Sequence, residues 1–330
     1  MPLPERALIA ELQCMLAESA KSLAHGSTRL IVKGIGDDCA VLRPRSGWDT
    51  LVTTDFSLEG VHFRREWHPP DAVGHRCLAR GLSDIAAMGG EPVAIFLSLA
   101  LPTDLPQSWV RRFMRGMIQL AEKHGATIAG GDTAASPNGI LADIIVVGAI
   151  PKGEGVLRSG AQPGDRIFVS GELGGSAAAV TRMMSGAANN VNVRGYRRHF
   201  YPEPRIELGS ILRRKHLASA MIDTSDGLST DLSHICQESG VGAKVNAALI
   251  PRAHVGTPKQ QVDLNLALHG GEDYELLFTA RPGKRLPAQI AGVTLTQIGE
   301  ITAAQGIVLK GLDGKVRRLR PQGWEHFRSK

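Results

Sequence analysis

Residues 219–240 read SAMIDTSDGLSTDLSHICQESG, and this stretch sets the fold class. The apolar run Ala220, Met221, Ile222 leads into two carboxylates and two hydroxyls, Asp223-Thr224-Ser225-Asp226, and then into Gly227. From Leu228 the spacing changes: Leu228, Leu232 and Ile235 recur three and four apart. That is a strand over Ala220 to Asp223, a tight acidic turn, and a helix over Leu228 to Ser239. The turn is therefore delivered to the end of a buried strand and the start of a helix.

The same alternation extends in both directions. Strand-like runs rich in Val, Ile, Leu and Phe fall at 50–54, 94–101, 126–129, 143–150, 166–170, 274–279 and 306–310. Helical patterns fall at 71–88, 106–124 and 175–184. Alternating strands and helices predict an α/β (α+β) fold. Between 148 and 165 the chain turns loop-like, with Pro151, Gly153, Gly155, Gly160, Pro163 and Gly164. A boundary there predicts two domains, 1–150 and 151–330, as expected for 330 residues. The units Leu82-Ser83-Asp84-Ile85 and Thr224-Ser225-Asp226-Gly227-Leu228, one in each half, are too weakly alike to call a repeat.

Bulk properties exclude several classes. With 43% hydrophobic and 21% charged residues the composition is that of a globular protein. Cysteines 14, 39, 77 and 236 form no C-x-x-C pair, so reduced thiols and a cytoplasmic setting are expected. The N-terminal 26 residues carry Glu5, Arg6, Glu11, Glu18 and Lys21 in an amphipathic pattern without a signal-peptide core. The most apolar later runs are too short to cross a bilayer. A net charge of +6 includes five Arg-Arg pairs, but they are scattered and aromatic content is 5%, so no nucleic-acid surface is expected. The mild positive surplus suits small anionic substrates.

Acidic residues recur in six glycine-flanked or strand-terminal settings: Gly36-Asp37-Asp38, Thr53-Thr54-Asp55, Ser83-Asp84, Gly130-Gly131-Asp132, Asp223 to Gly227, and Gly270-Gly271-Glu272-Asp273. Any one alone reads as a turn or cap, for which the short Asp side chain is favoured. Six in one chain point to a shared task. Gathered carboxylates repel unless a cation sits between them, and oxygen-only ligands select hard ions, so several Mg²⁺ ions are expected. Magnesium completed by phosphate oxygens is the arrangement of ATP-using sites. A P-loop G-x-x-x-x-G-K-S/T, a G-x-G-x-x-G fingerprint and an EF-hand loop are all missing from the sequence. Triphosphate would then be held by metal, by amides near Gly130 and Gly131, and by Arg158.

The ordered motifs GIGDDCAVL (34–42), TTDFSLEGVHF (53–63), LSDIAAMGG (82–90), GGDT (130–133), RSGAQPGD (158–165), IDTSDGLSTDL (222–232), GGEDYELLFT (270–279) and GWEHF (323–327) carry a family resemblance. In these motifs the chain resembles the thiamine-monophosphate kinases, relatives of aminoimidazole ribonucleotide synthetase, selenophosphate synthetase and a hydrogenase-maturation protein. The resemblance runs from Gly34 to Phe327.

It implies transfer of the ATP γ-phosphoryl to thiamine monophosphate, giving thiamine diphosphate and ADP. By position it implies Asp38, Thr53, Thr54, Asp55, Asp84, Asp132, Asp223 and Asp226 as magnesium ligands, with Asp55 and Asp226 central to catalysis. Gly131, Asp132, Arg158 and Ser225 would contact ATP, and His62, Glu272 and Trp324 the acceptor. Two α/β domains are implied, with N-terminal sheets pairing into a barrel across a homodimer. Phe56, Gly81 and Gly175 depart from the family pattern, where Thr, Asn and Asp are more usual. On residues alone His62 reads as a turn cap and Arg158 as a surface charge, and only the motif context lifts His62; Trp324 reads equally as a packing residue. The rival readings are another ATP-dependent enzyme of the superfamily and a non-catalytic thiamine-phosphate sensor. The enzyme rivals are weakened by Cys14 in a helical pattern and a tail ending HFRSK, the sensor by a complete ligand set.

Overall fold

The computed structural model describes residues 30–34, 39–187 and 191–323, together with 7, 11 and 14–16. The chain forms two compact units, Met1–Ile85 with Gly90–Gly153, and Ala86–Gly89 with Glu154–Lys330. Each unit is a mixed sheet with helices. Among the described residues, no helix is long and apolar enough to cross a membrane.

In the first unit, four long strands lie in the order Trp48–Leu58, Leu141–Pro151, Glu91–Pro102, Thr127–Ser136. The first two contacts are antiparallel, and the last is parallel, across the Gln107–Lys123 helix. That helix buries Val110, Phe113, Met114, Met117 and Leu120, the spacing of one helical face. It crosses the Pro70–Ala87 helix backbone to backbone. A Cβ at Gly74 would lie 1.9 Å from the Phe113 carbonyl, and one at Gly116 1.9 Å from that of Asp71.

The second unit holds an eight-stranded sheet. Its main path runs Val316–Arg318, Gly306–Lys310, Gly242–Asn246, Val293–Thr302, Arg166–Ser170, Leu276–Ala280, Ala220–Asp223, and Gln289–Ile290 pairs with Val293–Thr302. Among the described residues of this sheet, only the Gly306–Lys310 and Gly242–Asn246 pair is parallel. The core gathers Phe168, Leu208, Leu212, Met221, Leu276, Phe278 and Leu295. Phe168 and Phe278 stack with ring centroids 5.5 Å apart. Burying each such side chain contributes about 1.5–3 kcal/mol. The consequence for the site is that Ala220–Asp223 is an edge strand on a well-filled core, and the acidic turn leaves from its end.

Candidate active site

The first unit departs from the expectation that its carboxylates end buried strands. Asp55 lies inside Trp48–Leu58, Asp132 inside Thr127–Ser136, and Asp84 inside the Pro70–Ala87 helix. The ladder explains this: pairing runs from Trp48 opposite Pro151 to Leu58 opposite Leu141, and a strand passes through polar residues by facing them to alternate sides.

That alternation divides the set between two faces. Toward the Pro70–Ala87 helix, the Thr53 hydroxyl donates to Asp84 at 2.5 Å, and the Arg80 guanidinium pairs with Asp55 at 2.8 Å. On the other face the Thr54 hydroxyl donates to Asp143 at 2.9 Å. Cross-strand register puts Asp132 on this second face, in the row Phe56, Asp143, Ser98, Asp132. Gly131 precedes it with no room for a side chain, since a Cβ would lie 2.0 Å from the Leu97 carbonyl. His62 accepts the Leu58 N–H on Nδ1 at 3.0 Å, which closes a turn, and its ring lines a small cavity with Ser57, Phe63, Val73, Arg76 and Arg80. The departures are accommodated: Phe56 is exposed on the edge strand, Gly81 lies in mid-helix where a Cβ would meet Val146, and Gly175 opens a helix.

In the second unit the carboxylates do sit at a strand end. Asp223 closes Ala220–Asp223 and is buried, and Ser225 and Asp226 follow at half-buried positions before the Leu228–Ser239 helix. Gly227 makes the turn at φ 113, ψ 145, with the His269 backbone 2.8 Å from where a Cβ would be. Asp231, four residues on, accepts the Gly227 N–H at 2.9 Å. Its carboxyl is held well above the usual range, first by burial and then by the charges of Asp223 and Asp226. The Glu272 N–H donates to the Ser225 carbonyl at 2.8 Å, and that of Tyr274 to Thr224 at 3.0 Å. Glu272 and Tyr274 both take left-handed backbone, at φ 63 and φ 51. Arg158 is exposed, its carbonyl accepting the Ser239 hydroxyl at 2.9 Å. Asp38 and Trp324 lie outside the described residues.

These residues fit magnesium by their chemistry. The donors are all oxygen, and Asp231 Oδ1 is buried without a hydrogen-bond partner among the described residues, beside two further carboxylates. Among the described residues no three His, Cys, Asp or Glu side chains are placed to hold an ion by themselves. Magnesium asks for less, because one or two carboxylates suffice where water and substrate phosphates complete the shell. Asp143, Arg80, Asp231 and Glu275 escaped the sequence reading as site neighbours. Asp231 and Glu275 stand inside quoted motifs, but nothing in the pattern separates a ligand from a residue that braces one.

The AIR synthase related protein N-terminal domain family matches residues 36–150, and its C-terminal domain family matches residues 162–311. The chain is 38% identical to thiamine-monophosphate kinase of Escherichia coli K12 over 319 residues, covering 91% of this chain and 94% of that one. The crystal structure of thiamine-monophosphate kinase from Stenotrophomonas maltophilia K279a superposes with TM-score 0.80 at 36% identity, covering 96% and 98%. AaThiL complexed with AMPPCP and TMP superposes with TM-score 0.76 at 33% identity, covering 89% and 92%. With both halves matched and identity held over nine-tenths of its length, this chain belongs to the thiamine-monophosphate kinase family of AIR synthase related proteins.

Proposed function

We propose that this chain transfers the γ-phosphoryl group of ATP directly to thiamine monophosphate, giving thiamine diphosphate and ADP. The observation that carries the reading is family membership along nearly the whole chain, joined to an acidic turn at a strand end. A phosphate oxygen of the acceptor attacks the γ-phosphorus as the bond to the β-phosphate oxygen breaks. A phosphate monoester has a second pKa of about 6, so the attacking oxygen is already ionised and no general base is needed. The work left to the protein is positioning and charge neutralisation.

Magnesium would be held by Asp38, Thr53, Thr54, Asp55, Asp84, Asp132, Asp223 and Asp226, and when bound it supplies neutralisation of the phosphate charge. The Gly131 backbone, Asp132, Arg158 and Ser225 hold ATP, and His62, Glu272 and Trp324 orient the acceptor. Residues 1–150 serve as the ATP, metal and dimerisation domain, and 151–330 as the second α/β domain. A homodimer in which the first units pair through their sheets is supported by the edge strand Trp48–Leu58, where Val52 is 66% and Phe56 51% exposed. Four free cysteines support a cytoplasmic setting.

The test is to incubate the full chain with ATP, Mg²⁺ and a panel of phosphate monoesters, and to follow thiamine diphosphate by chromatography. Thiamine diphosphate should form, and EDTA should abolish it. Its absence overturns the function, and full activity in metal-free buffer overturns the ligand set.

A further inference from the structure

Glu275 is 1% exposed, yet every polar atom it has is engaged. Its Oε2 accepts from the Ser170 hydroxyl at 2.6 Å and from Arg205 Nε at 2.7 Å, and its Oε1 from Arg205 Nη2 at 2.5 Å and Arg198 Nη1 at 3.1 Å. Its backbone is given wholly to Thr224. The Thr224 N–H donates to the Glu275 carbonyl at 2.8 Å, and the Glu275 N–H donates to the Thr224 hydroxyl at 3.1 Å. Thr224 stands between Asp223 and Ser225, and the flanking amides of Glu272 and Tyr274 grip the Ser225 and Thr224 carbonyls.

We infer that Glu275, clamped by Arg205, is a positioning residue that fixes the Asp223 to Asp226 turn and, through the same segment, the backbone of Glu272. The inference rests on the kinase reading above for what the turn does.

A buried ion pair contributes little to stability that well-packed apolar side chains would not match. What the two-point Arg205 fork adds is direction. It fixes the carboxylate, the carboxylate fixes the residue 275 peptide, and that peptide sets where Thr224, and hence Asp223 on one side and Ser225 on the other, can be. The site is also cut to fit. A Cβ at Gly171 would lie 2.1 Å from Glu275 Oε1, so the glycine leaves room for the carboxylate. Asp273 is built in differently: it accepts from the Gly174 and Ser176 amides at 2.6 and 3.2 Å and so ties the segment to the start of the Gly175–Arg182 helix. The brace is thus anchored at two points, with the acidic turn hanging from it.

Glu275→Gln keeps the shape and removes the charge that orders the fork. Replacing a partner outside the ligand shell typically lowers metal affinity or activity by about 10- to 100-fold. The experiment titrates the full chain with Mn²⁺ alone, reading free Mn²⁺ by electron paramagnetic resonance, beside steady-state kinetics and thermal unfolding. Glu275→Gln should weaken Mn²⁺ binding at least about tenfold and lower kcat in step. Ser170→Ala, which removes the hydrogen bond donated to Glu275 Oε2 and the one accepted from the Leu276 N–H but leaves the fork, should act in the same direction by about fivefold, the equivalent of about 1 kcal/mol. A lowered unfolding midpoint with Mn²⁺ binding and kcat within twofold of wild type would make Glu275 a packing residue and overturn the inference. If Glu275→Gln fails to fold, Ser170→Ala decides by the same readout, and unchanged Mn²⁺ binding there overturns it. Wild-type protein that makes no thiamine diphosphate, but whose Mn²⁺ binding still depends on Glu275, would remove the kinase reading and leave the brace standing.

Discussion

The two units hold their carboxylates in opposite ways. In the first, Asp84 receives a threonine hydroxyl and Asp55 a guanidinium, so charge is met by a donor from the protein itself. In the second, burial first and then the charges of Asp223 and Asp226 hold the Asp231 carboxyl above the usual range, against the pull of the Gly227 amide. Paired carboxylates are stable without a ligand, whereas crowded ones are held against their own repulsion by the surrounding fold. Asp55 and Asp84 therefore have donors of the protein's own, and the surroundings of Asp231 have more to gain from a cation.

Neutral substitutions should break that comparison most sharply. Asp55→Asn and Asp226→Asn are each expected to lower kcat by at least about a hundredfold, the order found when one electrostatic stabiliser is removed. Their effects on folding should differ in sign. Asp55→Asn removes the ion pair that Asp55 makes with half-buried Arg80 and lowers the unfolding midpoint in EDTA, while Asp226→Asn relieves crowding around Asp231 and raises it. Asp313→Asn, in the exposed turn between Gly306–Lys310 and Val316–Arg318, is the control and should leave turnover unchanged. Near-normal turnover in the site variants would remove the ligand assignment. Midpoints moving in the same direction would remove the contrast between the units.

A second measure uses pH. Burial pushes the Asp273 carboxyl up to about 7, against the pull of the Gly174 and Ser176 amides. For an acid whose folded pKa is raised, the stabilising contribution is full below its ordinary value near 4 and is lost as pH rises toward 7. The whole loss is about 4 kcal/mol at most, because each pH unit between those two values is worth about 1.4 kcal/mol. Asp273→Asn carries no such charge, so its stability relative to wild type should improve between pH 5 and pH 8 in denaturant titrations. A constant difference across that range would show that Asp273 is ionised throughout.

The residues explain how much of this was legible in the sequence. The Ala220–Asp223 strand, the turn and the Leu228–Ser239 helix were readable because apolar spacing changes from continuous to helical across Gly227. Asp55 and Asp132 were not readable as mid-strand residues, since pairing partners far along the chain, Ile144 for Asp55 and Ser98 for Asp132, carry the ladder past them. The strands Gly242–Asn246 and Val293–Thr302 were missed for a similar reason. The first, Gly-Ala-Lys-Val-Asn, holds a single β-branched residue, and the second shifts register between Gln297 and Gly299, which interrupts its alternation. At the site, residue types announced an acidic, oxygen-donor centre. The division of those residues between two sheet faces, and the brace from Glu275, are products of register and burial, which no motif spells out.

The smallest expected effect concerns the acceptor side. Trp324 lies outside the described residues, but Gly323 before it is seated on the acidic turn of the second unit. Its N–H donates to the Thr230 hydroxyl at 3.0 Å, and a Cβ there would lie 2.0 Å from the Asp226 carbonyl. Gly323 therefore packs directly against the Asp226 backbone. Thiamine carries a cationic thiazolium, and a cation over an indole face gains about 0.5–2 kcal/mol, depending on how well water is excluded. Trp324→Ala should then raise the acceptor KM roughly two- to thirtyfold, since about 1.4 kcal/mol is a factor of ten. The ATP KM should stay within twofold, because the turn, the phosphates and the metals keep their partners. Substitution of the brace at Glu275 should instead move metal binding and kcat, so the two variants separate acceptor binding from turn position. Measuring both KM values on Trp324→Ala decides the point: equal effects on ATP and acceptor, or none on either, would make Trp324 a packing residue and leave the acceptor to His62 and Glu272.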